Sequence, residues 1–251
     1  MSSTDTQEPL LEVRDLSKHF GPVEALNNFS MKVHAGEVVA LAGDNGAGKT
    51  TVIKAISGVY KPTGGEILLA GKKVDFDTPQ QARDVGIETI YQDLALADNL
   101  SIGANIFLGR EPMRRAFGFL PVLDRKKMAA AAKETMALLD FHVSRLEAPV
   151  SNFSGGQRQA VAIGRAVFWN AKILIMDEPT AALGVPEQRK VLALIHQLKA
   201  AGHGIIFISH NLQDIFAVSD RIIVLRRGLD VGERRIADTS HDEIVKLMIG
   251  G

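Results

Sequence analysis

Residues Gly43-Asp44-Asn45-Gly46-Ala47-Gly48-Lys49-Thr50 follow the spacing G-x-x-x-x-G-K-T between an apolar run and a helix-forming stretch. Glycines at these positions admit backbone conformations that turn several N–H groups inward, and the helix start behind them adds partial positive charge. The result is a cradle for phosphate oxygens, with Thr51 counted in it. Lys49 would reach the β- and γ-phosphates of a nucleotide and the Thr50 hydroxyl would bind Mg²⁺. Ile173-Leu174-Ile175-Met176-Asp177-Glu178 reads as a buried strand ending in two acids. Asp177 suits a carboxylate that holds Mg²⁺ through its water shell, and Glu178 suits a general base for an attacking water. A third element, Ser154-Gly155-Gly156-Gln157, joins a capping residue to two glycines at a helix start. It makes a second anion site without a lysine of its own. One nucleotide does not need two separate cradles in one chain; a head-to-tail dimer, each copy closing its second cradle on the partner's γ-phosphate, accounts for both.

The elements that must carry these residues alternate. Leu10–Leu16, Val38–Ala42, Gly64–Leu69, Ile87–Tyr91, Lys172–Met176, Ile205–Ile208 and Ile222–Leu225 read as strands. Lys49–Ser57, Gly155–Val167, Pro186–Ala201 and Ser240–Ile249 read as helices, with a further helix start at Thr78-Pro79 and a capping box expected from Ser240 and Glu243. Such a rhythm predicts an α/β fold with a mostly parallel sheet covered on both faces. Residues 1–9 are polar and expected to be loose. From 93 to 150 strand signals vanish and Asp124–Leu139 has helical spacing, so this stretch is expected to be a helical insertion, leaving 10–92 and 151–251 as the nucleotide-binding core.

Composition narrows the function. In 251 residues, 29 Lys and Arg balance 29 Asp and Glu, which argues against nucleic acid as a partner. There is no cysteine, so disulfides and thiolate chemistry are excluded. No apolar run approaches the roughly 20 residues of a spanning helix, and the N-terminus lacks a secretory pattern, so a cytosolic protein able to dock on a membrane protein is expected.

Taken in order, these motifs resemble the ATP-binding subunit of an ABC transporter. Gly43–Thr50 matches its Walker A, Ile173–Asp177 its Walker B and Phe153–Gln157 its signature. The resemblance implies the P-loop ABC ATPase fold, with an antiparallel β part near the N-terminus and a helical signature subdomain. It also implies that Gln92 binds Mg²⁺ and faces the membrane subunit, that His210 senses the γ-phosphate, and that Phe20 stacks on adenine. Two departures stand out: Phe153 replaces the usual leucine, and Ala181-Ala182-Leu183-Gly184 ends in glycine where the family's D-loop usually has aspartate. The stretch Ala104–Pro112 resembles monosaccharide importers of the ribose, xylose and fructose kind. A subunit of that sort would act as a homodimer with Mg-ATP at its interface, bound to transmembrane permease subunits on the cytoplasmic face of the membrane and served by a periplasmic sugar-binding protein. The alternatives are an importer of another solute, such as branched-chain amino acids, and a soluble ABC ATPase acting on nucleic acid or ribosomes.

Overall fold

The computed structural model describes residues 8–117, 119–139, 141 and 145–250. Strands β1 (Leu11–Phe20) and β2 (Val23–Val33) form an antiparallel hairpin, followed by β3 (Val38–Ala42) and helix α1 (Lys49–Ile56). β4 (Gly64–Leu69) and β5 (Lys72–Val74) complete an antiparallel sheet ordered β2-β1-β4-β5. After α2 (Pro79–Asp84) and β6 (Ile87–Ile90) come α3 (Ile102–Ile106), strands β7 (Met113–Ala116) and β8 (Leu120–Leu123), and α4 (Arg125–Leu138). The remainder alternates: α5 (Gly155–Phe168), β9 (Ile173–Asp177), α6 (Val185–Ala200), β10 (Gly204–Ile208), α7 (Leu212–Val218), β11 (Arg221–Arg226), β12 (Leu229–Arg235) and α8 (His241–Ile249).

The main sheet runs β12-β11-β3-β10-β9-β6; β11 to β6 are parallel and β12 is an antiparallel edge. Successive strand residues point to opposite faces. In β3, Val38, Ala40 and Ala42 enter a core shared with α3–α6, while Val39 and Leu41 enter a second core with α1 and the antiparallel sheet. β9 and β10 divide in the same way, Leu174, Met176 and Phe207 on one side, Ile173, Ile175 and Ile206 on the other. Unbroken apolar runs are what a sheet covered on both faces requires.

Three local expectations are corrected. The 93–150 segment is not purely helical, because β7 and β8 pair as a hairpin inside it. Met-Arg-Arg-Ala and Leu-Pro-Val-Leu carry two arginines and a proline, so they lack the alternation that announces a strand. Only half of the box at α8 forms: Ser240 Oγ accepts from the Glu243 N–H, but the Glu243 carboxylate accepts from Arg234 Nε (2.6 Å) and Thr239 Oγ1 (2.7 Å) instead. At α2 the helix starts at Thr78-Pro79 as expected, but Thr78, the residue type that should cap it, makes no side-chain capping bond; Gln81 Oε1 accepts the Asp77 N–H at 2.7 Å.

An aromatic clamp fastens α3 to the end of α5. Trp169 Nε1 donates to the Ile106 carbonyl at 2.9 Å, and the Phe107 ring meets Phe168 and Trp169 edge-on at 4.8 and 5.7 Å. Trp169→Ala should cost about 2–3 kcal/mol in urea unfolding through lost contact and an unpaired carbonyl. Trp169→Phe should cost about 1–2 kcal/mol, mostly from the carbonyl.

Candidate nucleotide-binding site

Strand β3 ends at Ala42, and the chain turns at once through Gly43 at φ 146°. A β-carbon there would collide with the Leu225 carbonyl oxygen of neighbouring β11. Gly48, at φ 113°, precedes α1, and its missing β-carbon would stand 3.1 Å from the Ala25 carbonyl. No side chain caps α1, so the N–H groups of its first turn stay available to an anion. Lys49 is buried, and its Nζ donates to the carbonyls of Gly43 (2.5 Å) and Asp44 (3.0 Å). Burial lowers the Lys49 pKa, against the pull of Glu178, Asp44 and Asp177.

Asp177 is the last residue of β9. Burial raises its pKa, opposed chiefly by Lys49. Glu178 follows at φ 52°, its N–H donating to the Ile208 carbonyl of β10 at 2.9 Å. This turn directs its side chain inward, where Oε1 is buried without an aligned hydrogen bond and lies 3.2 Å from His210 Nε2. Burial also raises the Glu178 pKa, with His210 opposing.

These groups share one cavity of about 530 Å³, lined among others by Asn45, Gly46, Ala47, Gly48, Lys49, Thr50, Thr51, Gln92, Asp177, Glu178 and His210. Gly43 and Asp44 are not among its lining and bear on the site through the carbonyls that hold Lys49. Phe20 stands beside the cavity: it pairs across the hairpin with Val23, which lines it, and meets Tyr60 edge-on at 5.1 Å with Lys18 Nζ 5.2 Å over its ring. Ser154, Gly156 and Gln157 line a different cavity, of about 460 Å³, beside Glu187. Here the capping box closes: Ser154 Oγ accepts from the Gln157 N–H (3.4 Å) and Gln157 Oε1 from the Ser154 N–H (3.0 Å), leaving Ser154 and Gly155 exposed. A β-carbon on Gly156 would meet Cγ and Cβ of Glu187 at 2.9 and 3.0 Å, and one on Gly184 would meet Glu187 Oε2 at 2.9 Å.

Sequence reasoning missed one wall of the cavity: Val23, Glu24 and Ala25 of β2, and Arg227 and Gly228 of the β11–β12 turn. Gly228 stitches the site together, its N–H donating to the Ala47 carbonyl and its carbonyl accepting from Asn27, both at 2.9 Å. The signal was Arg226-Arg227-Gly228, a turn between two strands.

Residues 26–181 match the family described as ABC transporter. The chain belongs to that family. It is similar to the xylose/arabinose import ATP-binding protein of Sulfolobus acidocaldarius, 50% identical over 95% of this chain and 93% of that one. It is 44% identical to the fructose import ATP-binding protein of Rhizobium meliloti, over 97% and 95% of the two chains. A ribose import ATP-binding protein of Burkholderia ambifaria is 42% identical over all of this chain and 48% of its own length. Among solved structures, the ATP-binding cassette MJ1267 in its ADP conformation aligns with TM-score 0.78 and 25% identity over 97% of this chain and 99% of its own. The dimeric cassette MJ0796 bound to ADP and Pi aligns with TM-score 0.74 and 25% identity over 90% and 98%. The protein is thus an ABC ATPase cassette, and the mixed, mostly parallel sheet is that fold.

Two of the loop's positive-φ glycines, Gly43 and Gly46, should respond unequally. Gly43→Ala combines a positive φ with a backbone collision, so unfolding should lose about 2–4 kcal/mol and nucleotide binding should disappear in a titration. Gly46→Ala, at φ 79° with open space around it, should cost about 1 kcal/mol.

Proposed function

We propose that this chain is the ATP-hydrolysing subunit of a monosaccharide importer. The observation that carries the proposal is the near-full-length similarity to import ATP-binding proteins for xylose/arabinose and fructose, together with two phosphate cradles that open into separate cavities of one chain. In this reading two copies pair head to tail, and Ser154, Gly155, Gly156 and Gln157 of one copy close on a nucleotide seated against Gly43–Thr51 of the other.

Each residue has a role set by its surroundings. The exposed backbone N–H groups of the loop and of α1 hold phosphate oxygens, and Lys49 adds the loop's side-chain cation. Thr50, Gln92 and Asp177 offer a hydroxyl, an amide and a carboxylate, a set suited to an ion that keeps phosphate and water ligands. Among the described residues no group of three or more acids and histidines could hold a metal unaided. Mg²⁺ bound there would neutralise charge between the β- and γ-phosphates. Glu178 Oε1, buried and without a hydrogen bond, accepts the proton of the attacking water. His210, 3.2 Å away, favours the ionised carboxylate and faces the γ-phosphate position. Phe20 supplies a ring to the adenine.

The permease reading is supported by a groove of about 310 Å³ between the core and the inserted segment, lined by Arg83, Glu88, Tyr91, Leu108, Arg110 and Trp169 among others. Part of its wall belongs to the Ala104–Pro112 stretch. A segment of a membrane subunit seated there would feel movement of the neighbouring Gln92 loop, placing the cassette at the cytoplasmic face, with a periplasmic binding protein delivering the sugar.

Glu178→Gln should still bind Mg-ATP, hydrolyse it at least about 100-fold more slowly, and accumulate as an ATP-dependent dimer on a sizing column. Hydrolysis near the wild-type rate would remove Glu178 as the base. Because the base must be ionised and burial raises its pKa, the rate should fall with decreasing pH above the ordinary glutamate value of 4.5. Single-turnover rates across pH measure that limb.

Mixing variants tests the shared site. Lys49→Ala and Ser154→Arg should each be inactive alone, since a symmetric dimer repeats its defect. Mixed with subunit exchange, they should recover up to about a quarter of wild-type activity, because about half the dimers hold one intact site of two. Mixed dimers that neither trap nor hydrolyse ATP would overturn the shared site.

A further inference from the structure

The β7–β8 hairpin is the most exposed apolar feature among the described residues. Phe117 and Phe119, at its turn, are 90% and 79% exposed, above every other large hydrophobic side chain described, and Met113, Leu120 and Leu123 are exposed beside them. A two-stranded hairpin is marginal in water unless it is covered, and a contiguous apolar tip marks an interaction surface.

The base of this hairpin is cationic. Arg114 and Arg115 lie on β7, and Arg125, Lys126 and Lys127 open α4; all five are exposed. Four of them line one cleft of about 1120 Å³ under the hairpin, in which the one acid is Asp124. Its carboxylate already accepts the Lys127 N–H that caps the helix. None of the ion pairs among the described residues engages any of the five. In a chain of zero net charge this is a local excess.

We propose that strands β7 and β8 form a lipid-anchoring finger, with Phe117 and Phe119 entering the headgroup layer of an anionic bilayer and the basic residues at its base meeting lipid phosphates. Aromatic side chains at a tip with Lys and Arg behind them match the depth profile of a membrane interface, apolar groups at the acyl boundary and cations at the anionic surface. Phe117, Phe119, Leu120 and Pro121 carry no side-chain donor or acceptor that entry into the acyl boundary would leave unpaired. The placement rests on the permease reading above: Arg110 lines the groove assigned to the membrane subunit, and β7 begins three residues later in the chain, so the hairpin leaves close to the edge of that groove.

Co-sedimentation of the purified full chain with vesicles tests the finger. The protein should bind phosphatidylcholine vesicles containing phosphatidylglycerol, ignore those of phosphatidylcholine alone, and release with salt. Arg114→Glu with Arg115→Glu should weaken binding roughly 25-fold or more, at about fivefold per cation. Phe117→Ser with Phe119→Ser should weaken it about tenfold or more. ATP hydrolysis by either variant should equal wild type. The chain has no cysteine, so Phe117→Cys accepts a single environment-sensitive fluorophore, whose emission should shift blue on the anionic vesicles alone. Absence of vesicle binding, equal binding by the variants, or a fluorophore that stays in water would overturn the finger. Hairpin variants that lose permease co-purification while the wild type ignores vesicles would also overturn it, assigning the tip to a protein surface. If Arg110→Glu leaves permease co-purification untouched while the finger still binds lipid, the groove assignment falls and the finger stands.

Discussion

Strand β3 lies between β11 and β10 with both faces covered, and its five residues divide alternately between two cores. A strand held this way cannot slip by one residue, since every side chain would change core. Its end is therefore fixed, and so is the loop that leaves it. Gly43 passes the Leu225 carbonyl at a distance no β-carbon allows, and Gly228 ties the loop back to β2. The parallel register then brings Asp177 beside Ile208 at the same edge of the sheet, and the Glu178 N–H donates to the Ile208 carbonyl. The loop, the two acids and His210 meet in one cavity because three buried strands end together.

The same burial acts on the charges. Lys49 is driven towards its neutral form and so are Asp177 and Glu178, while their mutual attraction resists. This balance sets an acid of raised pKa beside a lysine of lowered pKa, a combination of use in chemistry and costly as mere surface decoration.

Much of this was legible in the sequence, for physical reasons that differ by element. Val38–Ala42 and Ile173–Asp177 declare themselves because double burial leaves no polar position, and the loop after β3 because few residues tolerate its backbone. The helix start at Ser154 was readable since its capping bond is local, although the return bond from Gln157 was not expected. The hairpin at 113–123 was not, because its strands pair only with each other and impose no alternation. The β2 and Gly228 wall was hidden for another reason: it is formed by tertiary approach, which local pattern does not encode. At α8 the local signal was present but lost a competition, Glu243 finding Arg234 a stronger partner than its own helix.

Glu187 stands between two glycines, and its unequal fit to them bears on how this sequence can drift. At Gly156 the obstacles are Glu187 Cγ at 2.9 Å, which rotation about χ1 can move, and Cβ at 3.0 Å, which no rotation removes. At Gly184 the obstacle is the carboxylate tip, which a change of rotamer clears. Position 156 therefore stays tight for as long as 187 carries a β-carbon. Position 184 is open: an aspartate there would also gain a capping bond at the start of α6, which the glycine forgoes for a few tenths of a kcal/mol. Packing thus leaves 184 open to substitution, whereas a change at 156 needs the start of α6 to give way at 187, so the two glycines face separate steric constraints on their drift.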